Sequence, residues 1–212
     1  MSLTWIVDTK HRLFCKKKFG SSDARVKPVN LLVYHYTVGP NTRLMRTAVE
    51  NWIGSPTQSS THIVTARDPR KEATLQMAAL EERTWHAGGS EWRGLKNINS
   101  MSIGLDMDNI GWLVKKGGKW LDSYGKSYNG PTPFIDQNGK GWEPYTDESI
   151  TEICRITDLI CEQYPFFRTN LDHLVGHEHI RKIKQDPGPA FPWDVIKEAA
   201  ASGNYPGKVA II

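Results

Sequence analysis

Apolar positions along the chain follow two rhythms, short β-branched runs and longer stretches with a three-to-four-residue repeat, which predict strands and amphipathic helices respectively. Val29 to Tyr36 reads Val-Asn-Leu-Leu-Val-Tyr-His-Tyr and predicts a buried central strand with His35 near its C-terminal end. Thr42 to Trp52 carries Leu44, Met45, Ala48, Val49 and Trp52 at helical spacing, and Gly54-Ser55-Pro56 stops it. Short strands are expected at Thr61 to Thr65 and Ala73 to Met77, on either side of an Asp68-Pro69 turn. Ser102 to Met107 is another apolar strand, with Asp106 near its exit. Thr146 is placed to cap a helix that gathers Ile150, Ile153, Thr157, Ile160, Cys161 and Tyr164 on one face. Leu171 to Gly176 returns as a strand delivering His177, and Asp186-Pro187-Gly188-Pro189 forces a turn before a last helix from about Trp193 to Ala201. Strands alternating with helices predict an α/β fold, a single domain whose central mixed β-sheet is flanked by α-helices.

The stretch from Asp108 to Tyr145 breaks this rhythm. It holds seven glycines, three prolines and the aromatics Trp112, Trp120, Tyr124, Tyr128, Phe134, Trp142 and Tyr145. A structureless loop of that length is uncommon in a compact domain. Two readings stand: a structural flap, or a hairpin excursion whose aromatic faces are offered to sugar rings or to a peptide stem. The expected organisation is an extension over 1–28 packed on the domain, a catalytic domain over 29–201 with an insertion at 108–145, and a tail over 202–212.

Composition narrows the class. Of 212 residues, 39% are hydrophobic and 24% charged, as in a soluble globular protein, and no apolar run approaches the roughly 20 residues of a membrane-spanning helix. Near the N-terminus the basic residues follow Leu3, Trp5, Ile6 and Val7, the reverse of a secretory leader. Synthesis in the cytoplasm without a Sec-type signal peptide is therefore expected. Cys15, Cys154 and Cys161 are few and odd in number, and seven residues of helix hold the last two about 10 Å apart, beyond disulfide reach. The net charge of +4, with clusters at Lys16 to Lys18 and at Lys115, Lys116 and Lys119, suits an anionic polymer such as cell wall or a plain solvated face. It is too balanced for a nucleic-acid partner.

The chemistry is concentrated in Gly176-His177-Glu178-His179 through Asp186-Pro187-Gly188-Pro189, read with Tyr34-His35-Tyr36-Thr37 far upstream. Two imidazoles and a carboxylate from distant segments suit one divalent ion, leaving the open fourth position of a catalytic zinc site. His173 and His179 compete with His177. If the segment is a strand, as Leu174-Val175-Gly176 suggests, His177 and His179 point the same way. No His-Glu-x-x-His motif is present.

Five segments in order carry a resemblance: Tyr34-His35-Tyr36-Thr37, Ser60-Thr61-His62-Ile63-Val64, Trp85-His86-Ala87-Gly88, Ser102-Ile103-Gly104-Leu105-Asp106, and Gly176-His177 through Asp186-Pro187-Gly188-Pro189-Ala190-Phe191. Over roughly Val29 to Val195 the chain resembles the zinc-dependent N-acetylmuramoyl-L-alanine amidases, the family that includes phage lysozyme-like amidases and animal peptidoglycan-recognition proteins. The resemblance implies that His35, His177 and Asp186 bind a zinc ion (Zn2+), the carboxylate standing where phage members use cysteine. It implies that Asp106, where close relatives have glutamate, acts as the base, with a loop anchor as the alternative. Lys184 would face the reacting carbonyl, or be an ordinary exposed lysine. Tyr36, His62, His86 and His179 are expected near the substrate or behind the ligands.

The implied reaction is hydrolysis of the amide between the lactyl group of N-acetylmuramic acid and L-alanine of the stem peptide. Peptidoglycan or muropeptides are the implied partners, with action on cell wall or on its cytoplasmic breakdown products. Two alternatives remain: a non-catalytic peptidoglycan-binding module, and a zinc hydrolase acting on another peptide or amide. Oligomeric state stays open.

Overall fold

The computed structural model describes residues 4–11, 23–25, 27–39, 45–46, 49–50 and 59–208. In chain order the main strands are β1 (Leu31–Tyr36), β2 (Ile63–Thr65), β3 (Leu75–Gln76), β4 (Ser102–Met107), β5 (Trp112–Lys116), β6 (Lys119–Leu121), β7 (Phe134–Ile135), β8 (Gly141–Trp142) and β9 (Leu174–Gly176). The helices are α1 (Asp147–Gln163), α2 (Phe166–Thr169), α3 (His177–Ile180) and α4 (Trp193–Ser202).

A five-stranded sheet in the order β9-β1-β4-β2-β3 forms the frame. Its first four strands are parallel and β3 is antiparallel, so the sheet is mixed as expected. Strands covered on both faces read as unbroken apolar runs. Leu31, Leu32, Val33 and Tyr34 are accordingly buried, as are Ile103, Leu105 and Met107. In the parallel register His35 stands opposite Asp106, while Gly176 at the end of β9 stands opposite Tyr34. Parallel strands all leave the sheet at one edge, where ligand crevices of open α/β sheets form. Groups separated by more than a hundred residues thus meet there.

Helix α1 begins as its sequence demands. The Thr146 side chain accepts the Ser149 amide, and Asp147 and Glu148 complement the positive end of the helix dipole. Ile153, Ile156, Ile160 and Cys161 pack in one core cluster with Leu32, Tyr34, Ile103 and Leu105. Full burial of such a side chain contributes about 1.5–3 kcal/mol. Cys154 and Cys161 are buried free thiols, both pushed up to about 12 by burial. They are packing residues rather than nucleophiles. Helix α4 ends at Gly203, whose φ of 70° is the left-handed conformation glycine tolerates.

Of the expected helix over Thr42 to Trp52, Met45, Arg46, Val49 and Glu50 are described and helical, with Met45 and Val49 packed beside Val64, Leu75 and Met77. The rest of that helix, Cys15 and the Lys16 to Lys18 cluster lie outside the described residues.

Two local expectations change. Leu171–His173 is a 3-10 turn and only Leu174–Gly176 is strand, after which His177–Ile180 winds into a helical turn. The backbone finds its partners by capping: the Glu178 amide donates to the Asp186 carbonyl, and the Gly176 amide donates to Nδ1 of His179 at 2.9 Å. His177 and His179 consequently do not share a face, since alternation belongs to strands alone.

The 108–145 stretch is neither loop nor simple hairpin. It folds into a second, antiparallel sheet in the order β6-β5-β8-β7. Gly117 and Gly118, at φ of 57° and 76°, make the tight turn between β5 and β6. Asp136 nucleates the turn between β7 and β8 by accepting the Asn138 and Lys140 amides on Oδ1, and Asp122 does the same for Tyr124 and Lys126.

Candidate active site

His35 comes from the end of β1, His177 from the start of α3, and Asp186 from the loop that follows. All three are buried, and they are the one group of potential metal-binding side chains that converges among the described residues. Nδ1 of His35 lies 3.1 Å from Nδ1 of His177, and Oδ2 of Asp186 lies 2.9 Å and 3.0 Å from the two. An ion with bonds of about 2.0–2.2 Å in tetrahedral geometry would hold its donors about 3.3–3.5 Å apart. A slight expansion of the triangle therefore accommodates zinc, and two imidazoles with one carboxylate are donors of the right kind. Burial works to raise the Asp186 carboxyl, but the two imidazoles set against it, His177 and His35, outweigh it and hold the group below the usual carboxylate range. It is ready as an anion.

The outer nitrogens of both rings are committed, which decides their tautomers. The Ser102 hydroxyl donates to the Ile98 carbonyl at 2.7 Å, so its oxygen accepts from Nε2 of His86 at 2.9 Å. Nδ1 of His86 is then the acceptor for Nε2–H of His35, again at 2.9 Å. Nδ1 of His35 is left with a bare lone pair facing the triangle. His177 reaches the same state by donating from Nε2 to the Ala87 carbonyl at 3.2 Å. Burial, helped by the neighbouring His35, keeps His86 well below its ordinary value and neutral. Gly104 completes the arrangement, because a Cβ there would sit 2.6 Å from Cγ of His86 and 2.7 Å from Oγ1 of Thr61.

Asp106 is buried near the end of β4. Burial raises its carboxyl, and the neighbouring His35 and His177 pull it back. Tyr36, Lys184 and Asp186 line a cleft of about 730 Å³ whose opposite wall is the second sheet, including Trp112, Lys115 and Trp120. Burial also raises the Tyr36 phenol, so its hydroxyl keeps its proton.

His62 sits behind the sheet edge. Its Nδ1 accepts the Gly104 amide at 3.0 Å and the Thr84 hydroxyl at 2.9 Å, and Nε2 donates to the Glu82 carbonyl at 2.9 Å. Burial, with Arg25 alongside, lowers it to about 3. It touches the site through Gly104 and through His86, ring to ring at 6.0 Å. His179 holds the Gly176 amide and lies against Trp193 at 5.3 Å, so it supports the turn that presents His177.

One charged cluster had no local signal. Arg67 donates to Glu143 at 3.1 Å and to the Gly39 carbonyl at 2.7 Å, with Asp108 at 3.7 Å. Burial pushes Asp108 up to about 6 and raises Glu143. Glu143 also accepts the Ile110 amide at 2.7 Å, which fastens the base of the second sheet to the frame. Nothing in the spacing of three residues so far apart announces their pairing.

Comparison with known proteins agrees with this arrangement. The family model described as N-acetylmuramoyl-L-alanine amidase matches residues 25–189. Among curated relatives, the amidase AmiD of Escherichia coli K12 is 28% identical over 174 residues, covering 80% of this chain and 52% of its own. The 1,6-anhydro-N-acetylmuramyl-L-alanine amidase AmpD of the same organism is 26% identical over 135 residues, covering 63% and 54%. Among solved structures, E. coli AmiD in complex with anhydro-N-acetylmuramic acid-L-Ala-D-gamma-Glu-L-Lys superposes with a TM-score of 0.59 at 24% identity, covering 84% of this chain and 60% of that one. AmpDh3 of Pseudomonas aeruginosa with anhydromuramic pentapeptide gives 0.57 at 26% identity, covering 82% and 60%. The chain spans about half the length of the curated relatives it matches. The family match extends over most of the chain, and the chain therefore belongs to the N-acetylmuramoyl-L-alanine amidase family.

Proposed function

We propose that this protein is a zinc-dependent amidase that separates the lactyl group of N-acetylmuramic acid from L-alanine of the peptide stem, in wall polymer or in its cytoplasmic muropeptide fragments. The observation that carries the reading is the buried His35–His177–Asp186 triangle at the end of a cleft that also holds Lys184 and Tyr36. Zinc bound there would supply a Lewis acid for the carbonyl and make a water acidic enough to attack at neutral pH.

The chain's own groups supply the rest. Asp106, whose carboxyl is raised by burial, is suited to take a proton from the attacking water and return it to the leaving alanine nitrogen. Lys184 offers an ammonium to the charge that develops on the carbonyl oxygen, a contribution of a few kcal/mol (about 3) when such charge is pre-aimed. Ser102 and His86 hold the His35 ring in the tautomer that can ligate. Residues 29–201 are taken as the catalytic unit, with 1–28 as an extension and 202–212 as a tail. No described helix is long and apolar enough to cross a membrane.

The test is mass spectrometry of intact sacculi and soluble anhydromuropeptides after incubation with the purified protein, with and without a chelator. Stem peptides beginning with L-alanine are expected from at least one substrate and only without chelator. Absence of that product from both substrates overturns the reading.

A further inference from the structure

Arg25 stands in the extension that precedes the expected catalytic domain, yet its guanidinium reaches the strand that carries Asp106. The chain arrives there through Asp23–Ala24, which pairs antiparallel with Glu82–Arg83. Nη1 donates to the Ser102 carbonyl at 2.8 Å, and Nη2 donates to the carbonyls of Glu82 at 2.5 Å and Leu80 at 3.1 Å. Nη2 also lies 3.0 Å from Nε2 of His62, since both nitrogens share the Glu82 carbonyl. A guanidinium drawn out of water is ordinarily paired with a carboxylate. This one meets main-chain oxygens and a ring instead. Burial brings it down to about 10, so it keeps its charge at neutral pH.

These contacts fall on both ends of one short stretch of β4, Ser102 to Gly104. Ser102 is held directly. Gly104 is held through His62, whose Nδ1 accepts the Gly104 amide at 3.0 Å and whose own amide donates to the Gly104 carbonyl at 3.3 Å. A positive charge beside Nε2 opposes protonation of that ring at Nδ1, which would set a donor against the Gly104 amide and the Thr84 hydroxyl. The His86 ring lies against the same stretch. Its Nε2 donates to Oγ of Ser102, its Cγ fills the space that a side chain at Gly104 would take, and its Nδ1 accepts from His35. A displacement of Ser102 or Gly104 is thus passed to His35.

Resting on the zinc-amidase reading, we infer that Arg25 is a positioning residue of the hydrolytic site. It clamps Ser102 directly and Gly104 through His62, and so holds His86 where it keeps the His35 proton on Nε2 and leaves Nδ1 of His35 free to ligate. The extension over 1–28 thereby supplies part of the working unit. An apolar residue of similar length cannot replace the two donating nitrogens.

The test compares the full wild-type chain with Arg25→Met and Arg25→Lys, and with Ile160→Ala as a control that loses core packing on α1. Ring nitrogen-15 spectra of the metal-free protein report where His86 carries its proton, and competition with a fluorescent chelator reports zinc affinity. Wild type and Ile160→Ala are expected to show one His86 tautomer, with the proton on Nε2. Arg25→Met is expected to show a tautomer mixture and to hold zinc about tenfold less tightly. Arg25→Lys, which offers one nitrogen where arginine offers two, is expected to fall between, and it carries the comparison if Arg25→Met does not fold. A single Nε2–H tautomer in both Arg25 variants, or zinc affinity in them no weaker than in Ile160→Ala, overturns the assignment. Cleavage of a muropeptide is followed alongside. Cleavage by wild type with the tautomer unchanged in the variants removes this inference and leaves the amidase; a tautomer mixture in the variants with no cleavage by wild type removes the amidase and leaves Arg25 as the residue that orders a metal site.

Discussion

Replacing Ser102 by alanine removes a single oxygen that never touches the His35–His177–Asp186 triangle, and the structure specifies what should happen. The Ser102 hydroxyl is fully buried, donates to the Ile98 carbonyl at 2.7 Å and accepts from His86 at 2.9 Å. Without it, Nε2–H of His86 loses its partner, at about 1–3 kcal/mol for a buried unsatisfied group, while the Ile98 carbonyl keeps the Met101 amide at 2.9 Å. His86 can escape by moving its proton to Nδ1, but that nitrogen faces Nε2 of His35 at 2.9 Å. His35 must then shift its own proton onto Nδ1, the atom that points at His177 and Asp186. Zinc binding by Ser102→Ala is therefore expected to weaken about 10–100-fold, the usual effect of losing such an outer partner. Competition with a fluorescent chelator measures the affinity, and a melt of the metal-free protein measures the packing loss separately. A variant that melts earlier yet holds zinc within twofold of wild type refutes the tautomer argument. In a His86→Phe background the same substitution should leave zinc affinity nearly unchanged, because the path is already cut.

Three further outcomes follow from the site. Asp106→Asn should lower kcat about 10²–10⁴-fold, as expected for loss of a positioned base, while zinc stoichiometry by atomic absorption stays at that of wild type. His62 is neutral when folded, with a value of about 3 against the ordinary 6.5, so the unfolded chain binds the extra proton first. Its contribution to stability is whole above pH 6.5 and is lost as pH falls toward 3. Between pH 7 and 5 the wild type should lose about 2 kcal/mol more than His62→Gln in urea titrations, and parallel curves would contradict this. Arg67→Met strands Asp108 and Glu143 in the interior and should cost about 3–5 kcal/mol at pH 8. The cost should shrink at pH 5 as the raised carboxyls take up protons, which denaturant midpoints at both pH values will show.

The frame was readable because its physics is local. Leu31 to Tyr36 and Ser102 to Met107 lie between covering layers, so their apolar runs carry the strand signal undiluted, and Thr146 caps α1 through a bond to a residue three positions on. The donors named from the motifs, His35, His177 and Asp186, lie together because parallel strands in register bring their ends to one edge. The helical turn at His177–Ile180 was hidden: it is held by a side-chain cap and by the Asp186 carbonyl, a partner set by the loop's return. The second sheet was equally obscured, since its strands of two to five residues are fixed by aspartate-nucleated turns rather than by alternation. The roles of Ser102 and Gly104 became visible only when His86, contributed by another segment, was set beside them.

The anchoring of the second sheet has an evolutionary reading. Its outgoing and returning ends meet, for the Glu143 amide donates to the Gly111 carbonyl at 2.9 Å and both ends converge on Arg67. Segments whose termini lie side by side can be shortened, lengthened or exchanged with little disturbance to the host. The cleft wall and the rim of the frame can then vary independently in such a chain, one by trading a cassette, the other by keeping a handful of positions at the edge of an unaltered sheet.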